Sequence, residues 1–275
     1  RKIVRLNDGD VVTLSWNGVE LHAVSDGSRI EREPELITEE MSAVQKGGYA
    51  HFMLKEIHEQ PQVARELLHL LAHHPDVPSI LQAIVAARNV YFIGCGTSYH
   101  ACLAGSIYFG RLAKRTVIPI LAPQFIAQYA PAVNAQDVGI FVSQSGETKD
   151  VLNALERAQA AGMTCFSMAN VIGSTLTKQT SAWLPLTCGY EISVPATKTF
   201  TNQVITFLYL ASHLSGGDGQ VLEGLPDLME ETLAMCEPQV RVLAEEINAW
   251  NDFYCLGYGA TLPMALEGAL KLKEI

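Results

Sequence analysis

The chain has no surplus of positive charge: 19 Lys and Arg stand against 29 Asp and Glu, for a formal net charge of -10. That balance cannot neutralise a phosphodiester backbone or an anionic membrane, so neither nucleic acid nor a lipid surface is an expected partner. A small anion remains compatible, because a few backbone amides at a helix end can hold one without net positive charge. The sequence also lacks any CxxC pair. Cys95, Cys102, Cys165, Cys188, Cys236 and Cys255 are scattered, mostly inside apolar runs. Such a pattern fits buried thiols in a reducing cytoplasm rather than a disulfide framework or a zinc site. No unbroken apolar run reaches the roughly 18 residues of a membrane span, and the N-terminus has no signal-peptide layout. A soluble, cytoplasmic protein is expected. Because it opens on Arg1 rather than methionine, the chain is also expected to be truncated.

What is present is the balance of a globular protein, 48% hydrophobic and 17% charged over 275 residues. Three short alternating runs, Lys2 to Leu6, Val11 to Trp16 and Val19 to Val24, predict a β-meander; the turn residues are Asn7-Asp8-Gly9, Asn17-Gly18 and Asp26-Gly27. From Pro34 the chain turns charged and helix-compatible. Pro61 is expected to interrupt that stretch, and Val63 to Ala72 resumes helical spacing. Beyond Asn89, apolar runs at Val90 to Ile93, Val117 to Leu121, Val138 to Val142 and Thr164 to Met168 predict strands. The segments Ser98 to Leu112, Thr148 to Ala161 and Thr197 to Leu214 predict helices. Almost wholly apolar strands alternating with amphipathic helices imply a parallel sheet covered on both faces. Ligands of such sheets bind at the carboxyl ends of strands near a switch point, here just after Ile93 and just after Val142.

A Gly-rich break at Ser215 to Gly219 precedes a long helical stretch, Leu225 to Trp250. Phe253 to Thr261 then repeats the layout of Val90 to Ser98, with glycines at 257, 259 and 268 matching 94, 96 and 105. A duplicated strand, turn and helix predicts the opening of a second copy of the domain.

Gly94-Cys95-Gly96-Thr97-Ser98 invites comparison with a dinucleotide fingerprint, but Tyr99 holds the third glycine's place and no acidic strand-end residue follows. Ser143-Gln144-Ser145-Gly146-Glu147-Thr148 opens a helix with three hydroxyls, an amide and free first-turn N–H groups, an arrangement suited to one phosphate monoester. Those residues also suit simple capping and turn formation. Without GK[ST], magnesium-nucleotide chemistry has no support. Pro195 to Thr199 reads equally as a third wall of the crevice or as a loop. Glu267, Lys271 and Glu274 share one helix face, where spacing alone favours a solvated stripe over an acid–base pair. His69 and His73 lack further ligands and read as surface residues, and neither a metal nor a cofactor is expected.

In this order the motifs resemble the SIS (sugar isomerase) domains, and within them the isomerising glutamine–fructose-6-phosphate aminotransferases. The likeness rests on His51 to Pro61, Cys95 to Ser98, Ser143 to Thr148 and Ala265 to Ile275. It implies a doubly wound, flavodoxin-like or Rossmann-like α/β domain over 76–218. Residues 1–33 would be the tail of a glutaminase domain, 34–75 a helical linker, and 219–275 the start of a second SIS domain. The resemblance implies that Ser98, Ser143, Gln144, Ser145 and Thr148 hold the phosphate of fructose 6-phosphate or glucosamine 6-phosphate. Thr97 and the Val194 backbone would line the sugar. Glu274 would shuttle a proton with support from Lys271, and subunits would pair as homodimers or larger homo-oligomers. It also implies that this stretch alone is inactive, since the glutaminase cysteine and later isomerase residues of the family are not in it. One departure is Ala196, where the family usually has serine; a lost hydroxyl partner weakens binding by about 1 kcal/mol. An SIS aldose–ketose isomerase, an amino-sugar-phosphate deaminase and a non-catalytic sugar-phosphate sensor stay open.

Overall fold

In the computed structural model, which describes residues 2–275 apart from 5, 17, 37–44, 218, 220 and 221, contacts divide the chain after Gln45. The N-terminal unit contains β1 (Lys2–Ile3), β2 (Asp10–Ser15), β3 (Gly18–Ala23), β4 (Arg29–Ile30) and β5 (Glu35–Leu36). The meander is β2-β3-β4, all antiparallel. The first alternating run does not open it: β1 pairs with β5 instead. The turn between β1 and β2 is the reason. The Asn7 amide donates to the Asp10 carboxylate at 2.6 Å and the Asp10 amide to the Asn7 carbonyl at 3.0 Å. This closes the turn on itself, and Arg32 donates to the same Asp10 carboxylate at 2.6 Å. Glu35 and Leu36, expected to begin a helix, are strand residues that pair with Ile3 and Lys2. Residues 37–44 of the expected linker, and Arg5, Asn17 and Asp218 of the expected strand and turns, lie outside the described residues.

The second unit spans Lys46–Ile275. Its elements begin with α1 (Phe52–Leu71), α2 (Asp76–Ala86), β6 (Val90–Gly94), α3 (Thr97–Arg111) and β7 (Ile118–Leu121). Next come α4 (Ala122–Gln124), which runs into a π turn at Phe125–Tyr129, then β8 (Val138–Ser143), α5 (Lys149–Ala160) and β9 (Thr164–Ala169). The chain finishes with α6 (Thr175–Gln179), β10 (Ala182–Pro185), α7 (Lys198–Leu214), α8 (Leu225–Ile247) and α9 (Leu262–Glu274). Pro61 does not break α1. The Ile57 carbonyl that a proline leaves without its helical donor accepts the Gln60 side-chain amide at 3.2 Å. Proline is likewise accommodated in β10, an edge strand absent from the sequence reading, where Pro185 closes the parallel ladder opposite Ala169.

The five parallel strands run β10-β9-β8-β6-β7. Alternation within β6 splits the core. Val90 and Phe92 pack with residues of α1, α2, α3 and α7 on one face, and Tyr91 and Ile93 pack with α5, α6 and the π turn on the other. Phe92 stacks on Phe207 with ring centroids 4.2 Å apart and meets Phe109 edge-on at 5.1 Å. A Cβ at Gly105 would come within 2.6 Å of the Phe207 ring, so only glycine lets α3 lie this close to α7. Phe253 to Leu256, expected as a strand, is not one: Tyr254 and Leu256 are exposed. A strand is held by a neighbour's ladder, and among the described residues none lies beside it.

At the amino end of the sheet, Asp137 is fully buried. It accepts from Arg88 Nε and Nη2 at 3.0 and 2.6 Å, from Asn89 N and Nδ2 at 3.2 and 3.0 Å, and from the Asn134 amide at 3.0 Å. Burial works to raise this carboxyl, but the bonds from Arg88, Asn134 and Asn89 outweigh it and hold the group below the ordinary aspartate value. A depressed folded value contributes stability above the unfolded pKa and loses it as pH falls through the folded one. Asp137→Ala is therefore expected to cost about 3 kcal/mol at neutral pH, with the gap narrowing below about pH 4. Denaturant unfolding of both proteins across that range reads it, and a gap constant with pH contradicts the assignment.

Candidate functional site

The crossover from β6 leads to β7 on one side of it, and the later strands build outward from β8 on the other. The switch point therefore lies between β6 and β8, where doubly wound sheets bind ligands. Both candidate loops leave from there. Gly94 lets the turn close on Ser98, whose backbone carbon a Cβ would meet at 3.0 Å, and Gly96 sits at φ +51. Gly257 and Gly259 repeat this: a Cβ on the first would meet the Thr261 carbonyl at 2.6 Å, and the second has φ +57. The repeat seen in sequence is thus a repeat of backbone geometry at the turn, though not of a strand.

The loop after β8 is braced from within. The Ser143 and Thr148 hydroxyls bond at 2.9 Å, the Gly146 amide donates to Ser143 Oγ at 3.0 Å, and the Glu147 amide donates to Ser145 Oγ at 3.1 Å. Thr148 stands at the N-cap of α5 but makes no side-chain capping bond, so the first-turn amides are not taken up by it. Gln144 and Ser145 are half-buried beside them. Glu147 accepts the Thr175 amide at 2.7 Å and ties the loop to α6. The result is a set of hydroxyls at the positive end of a helix dipole, where an anion is stabilised.

The second constellation lies on α3 and α9. Thr97 Oγ1 donates to Glu267 Oε1 at 2.9 Å, and Lys271 Nζ reaches Thr97 Oγ1 at 3.1 Å, Glu267 Oε1 at 3.0 Å and Glu274 Oε2 at 2.7 Å. His100 Nδ1 lies 2.7 Å from Glu267 Oε2. Glu267 is only 5% exposed, so this face of α9 is not the solvated stripe that spacing favours. Burial works to raise the Glu267 carboxyl; the bonds from His100, Lys271 and Thr97 outweigh it and hold the group below the ordinary glutamate value. The structure thus brings Thr97, Lys271 and Glu274 together, with Ser98 buried one residue along α3.

Val194 and Glu274 line a common cavity of about 600 Å³ with His51, Phe52 and Ser193. The loop carrying Val194 and Ala196 is pinned by two carboxylates. Glu56 accepts the Ile192 and Ser193 amides at 2.5 and 3.2 Å. Glu191 accepts the Thr197 and Thr199 amides at 2.8 and 3.2 Å, at the start of α7. Val194 itself is 85% exposed, and its backbone is held in place while its side chain packs on little. His69, in the last turn of α1, and His73, just past its end, stand ring beside ring at 5.2 Å. Among the described residues no three His, Cys, Asp or Glu side chains gather as a metal site would require.

Sequence reasoning missed His100, Glu56 and Glu191. His100 carries a signal, since it lies three residues after Thr97 and so shares its face of α3. Glu56 carries none, because its partners are more than a hundred residues away. The glycine of the phosphate-type loop generates a test. Gly146 has φ +69 and a Cβ there would lie 2.0 Å from Ser174 Oγ. Gly146→Ala is expected to destabilise the fold by about 2 kcal/mol, read as a lower denaturation midpoint; an unchanged midpoint contradicts this packing.

Comparison with known proteins agrees with this fold. Residues 83–213 match the family model described as the SIS domain. The whole chain is 36% identical over 282 residues to the glutamine–fructose-6-phosphate aminotransferase (isomerising) of Pyrobaculum aerophilum, covering 46% of it. The enzyme of the same name from Methanothermobacter thermautotrophicus is 38% identical over 277 residues, again along all of this chain and 45% of that one. The chain therefore spans less than half the length of these curated relatives. Among solved structures, the C-terminal domain of glucosamine-fructose-6-phosphate aminotransferase from Francisella tularensis superposes with a TM-score of 0.72 at 26% identity, covering 84% of this chain and 69% of that one. A glucosamine-6-phosphate deaminase from Thermotoga maritima has a TM-score of 0.68 at 23% identity, covering 80% of this chain and 66% of that one, a likeness of fold alone. With its sheet in flavodoxin-like order and its two loops at the switch point, the chain matches the SIS domain over residues 83–213.

Proposed function

We propose that this chain is the isomerase portion of an enzyme that converts fructose 6-phosphate and glutamine into glucosamine 6-phosphate and glutamate. The observation that carries the proposal is the Lys271–Glu274 pair, 2.7 Å apart and bonded through Lys271 to Thr97, on the helix that packs against the start of α3. Relatives named for this reaction run the length of the chain, which supports the same reading.

In this reading the phosphate lies against Ser98, Ser143, Gln144, Ser145 and Thr148 and the first-turn amides of α5. Hydroxyls and a helix dipole supply its counter-charge, which an acidic protein can afford only locally. Thr97 and the Val194 backbone line the open-chain sugar. Ammonia adds to the C2 carbonyl and water leaves, giving a C2 imine. Glu274 takes the proton from C1 as the imine nitrogen gains one, giving an enaminol; a proton returned to C2 and loss of the C1 hydroxyl proton then complete the C2 amine and the aldehyde. Lys271 orients the carboxylate through that exchange. Ala196 leaves one hydroxyl fewer beside the sugar. No cofactor is needed for these steps.

The domain division 1–33, 34–75, 76–218 and 219–275, with the first segment ending a glutaminase domain, belongs to the same proposal, as do pairing of subunits through SIS domains and a cytoplasmic location. Among the described residues no helix is long and apolar enough to cross a membrane. The full-length parent with Glu274→Gln is expected to lose at least about 100-fold in kcat, with the KM for fructose 6-phosphate within about threefold because phosphate contacts are untouched. Glucosamine 6-phosphate formed from glutamine at the unmodified rate would contradict the role of Glu274. A parent that only releases ammonia from the amino sugar would place it with the deaminases.

A further inference from the structure

We infer that His100 is the positioning residue of the α9 face: it fixes the Glu267 carboxylate and, through it, sets Lys271 against Glu274. Glu267 uses its two oxygens differently. Oε1 takes the Thr97 hydroxyl at 2.9 Å and the Lys271 ammonium at 3.0 Å, the two groups that face the candidate sugar site. Among the described residues, Oε2 takes only His100 Nδ1, at 2.7 Å. A carboxylate held at one oxygen can swing about its terminal torsion, which has a broad energy profile. Held at both, it presents Oε1 in one direction. Because the acceptor is a carboxylate, the His100 nitrogen facing it is the protonated one.

The His100–Glu267 contact is largely shielded from water. The side chains of His100 and Glu267 are 14% and 7% exposed, so solvent cannot readily stand in for a lost imidazole donor. Among the described residues, Lys271 has three oxygens around it, on Thr97, Glu267 and Glu274, which matches its three donors. Loosening Glu267 therefore frees one of the three and lets the ammonium drift from Glu274. Small displacements of this kind matter for proton transfer, which requires hydrogen-bond reach. The catalytic consequence rests on the isomerase reading; the positioning itself does not.

The test uses His100→Leu, which keeps volume without a donor, and His100→Asn, whose amide can donate from nearly the place of Nδ1. In the chain itself, acetylation of lysines by a succinimidyl ester at limiting reagent, read by peptide mass spectrometry, reports how firmly Lys271 is held. His100→Leu is expected to raise the labelling rate of Lys271 about tenfold while His100→Asn stays near the unmodified rate. Lys198, buried and paired with Glu59 at 2.6 Å, labels alike in all three and reports an intact fold. Lys271 labelling equal in Leu and Asn variants, or faster in Asn, overturns the proposal even if both are destabilised. In the full-length parent the same pair is expected to split: kcat about tenfold lower in His100→Leu with KM within twofold, and restored in His100→Asn. Equal losses in both overturn it too. A parent that makes no glucosamine 6-phosphate while the labelling follows the expected pattern fails the isomerase reading and leaves the positioning standing.

Discussion

Everything at the candidate site depends on β6 and β8 lying side by side while their outgoing chains turn to different flanks of the sheet. Parallel pairing of Ile93 with Phe141 sets the two strand ends level, so the Gly94–Ser98 and Ser143–Thr148 loops open at one rim. The pairing is fixed by burial on both faces: β6 and β8 are buried along their whole lengths. A slip of one residue would send Phe92 and Phe141 to the wrong helical layers. Gly105 completes the constraint by letting α3 settle on Phe207, which brings the amino end of α3 down to the rim.

At that rim two physical strategies meet. Around Ser143 the counter-charge for an anion is neutral, made of hydroxyls and amides that need no desolvated ion. Around Glu267 it is ionic, and a buried carboxylate is tolerated only because Thr97, His100 and Lys271 all donate to it. The first suits holding a charged group still. The second suits a proton in transit, because Lys271 links a buried carboxylate to one that reaches the Val194 cavity. On the proposed function, a sugar phosphate would meet one at each of its ends.

What was legible in the sequence follows from range. Strands β6 to β9 and the helices α3, α5 and α7 were readable because apolar periodicity is local, and the Ser143–Thr148 loop because hydroxyls and glycine cluster within six residues. The continuity of α1 through Pro61 was not readable, since it turns on a side-chain bond from Gln60 that proline statistics ignore. The pairing of β1 with β5 depends on how the turn at Asn7 closes, and β10 has no β-branched residue to mark it as a strand. Phe253 to Leu256 carries strand composition, but strand is a property of a pair and no partner stands beside it among the described residues. Glu267 was visible as part of a stripe, and only its burial against His100 separates it from a solvated charge.

The most direct test is the position of the phosphorus atom in a crystal structure of this chain bound to glucosamine 6-phosphate. Phosphate oxygens within hydrogen-bond reach of Ser143, Ser145 and Thr148, with the sugar directed toward Thr97, is the expected result. A phosphate seated away from that loop, while the sugar still occupies the chain, would contradict the site proposed between β6 and β8.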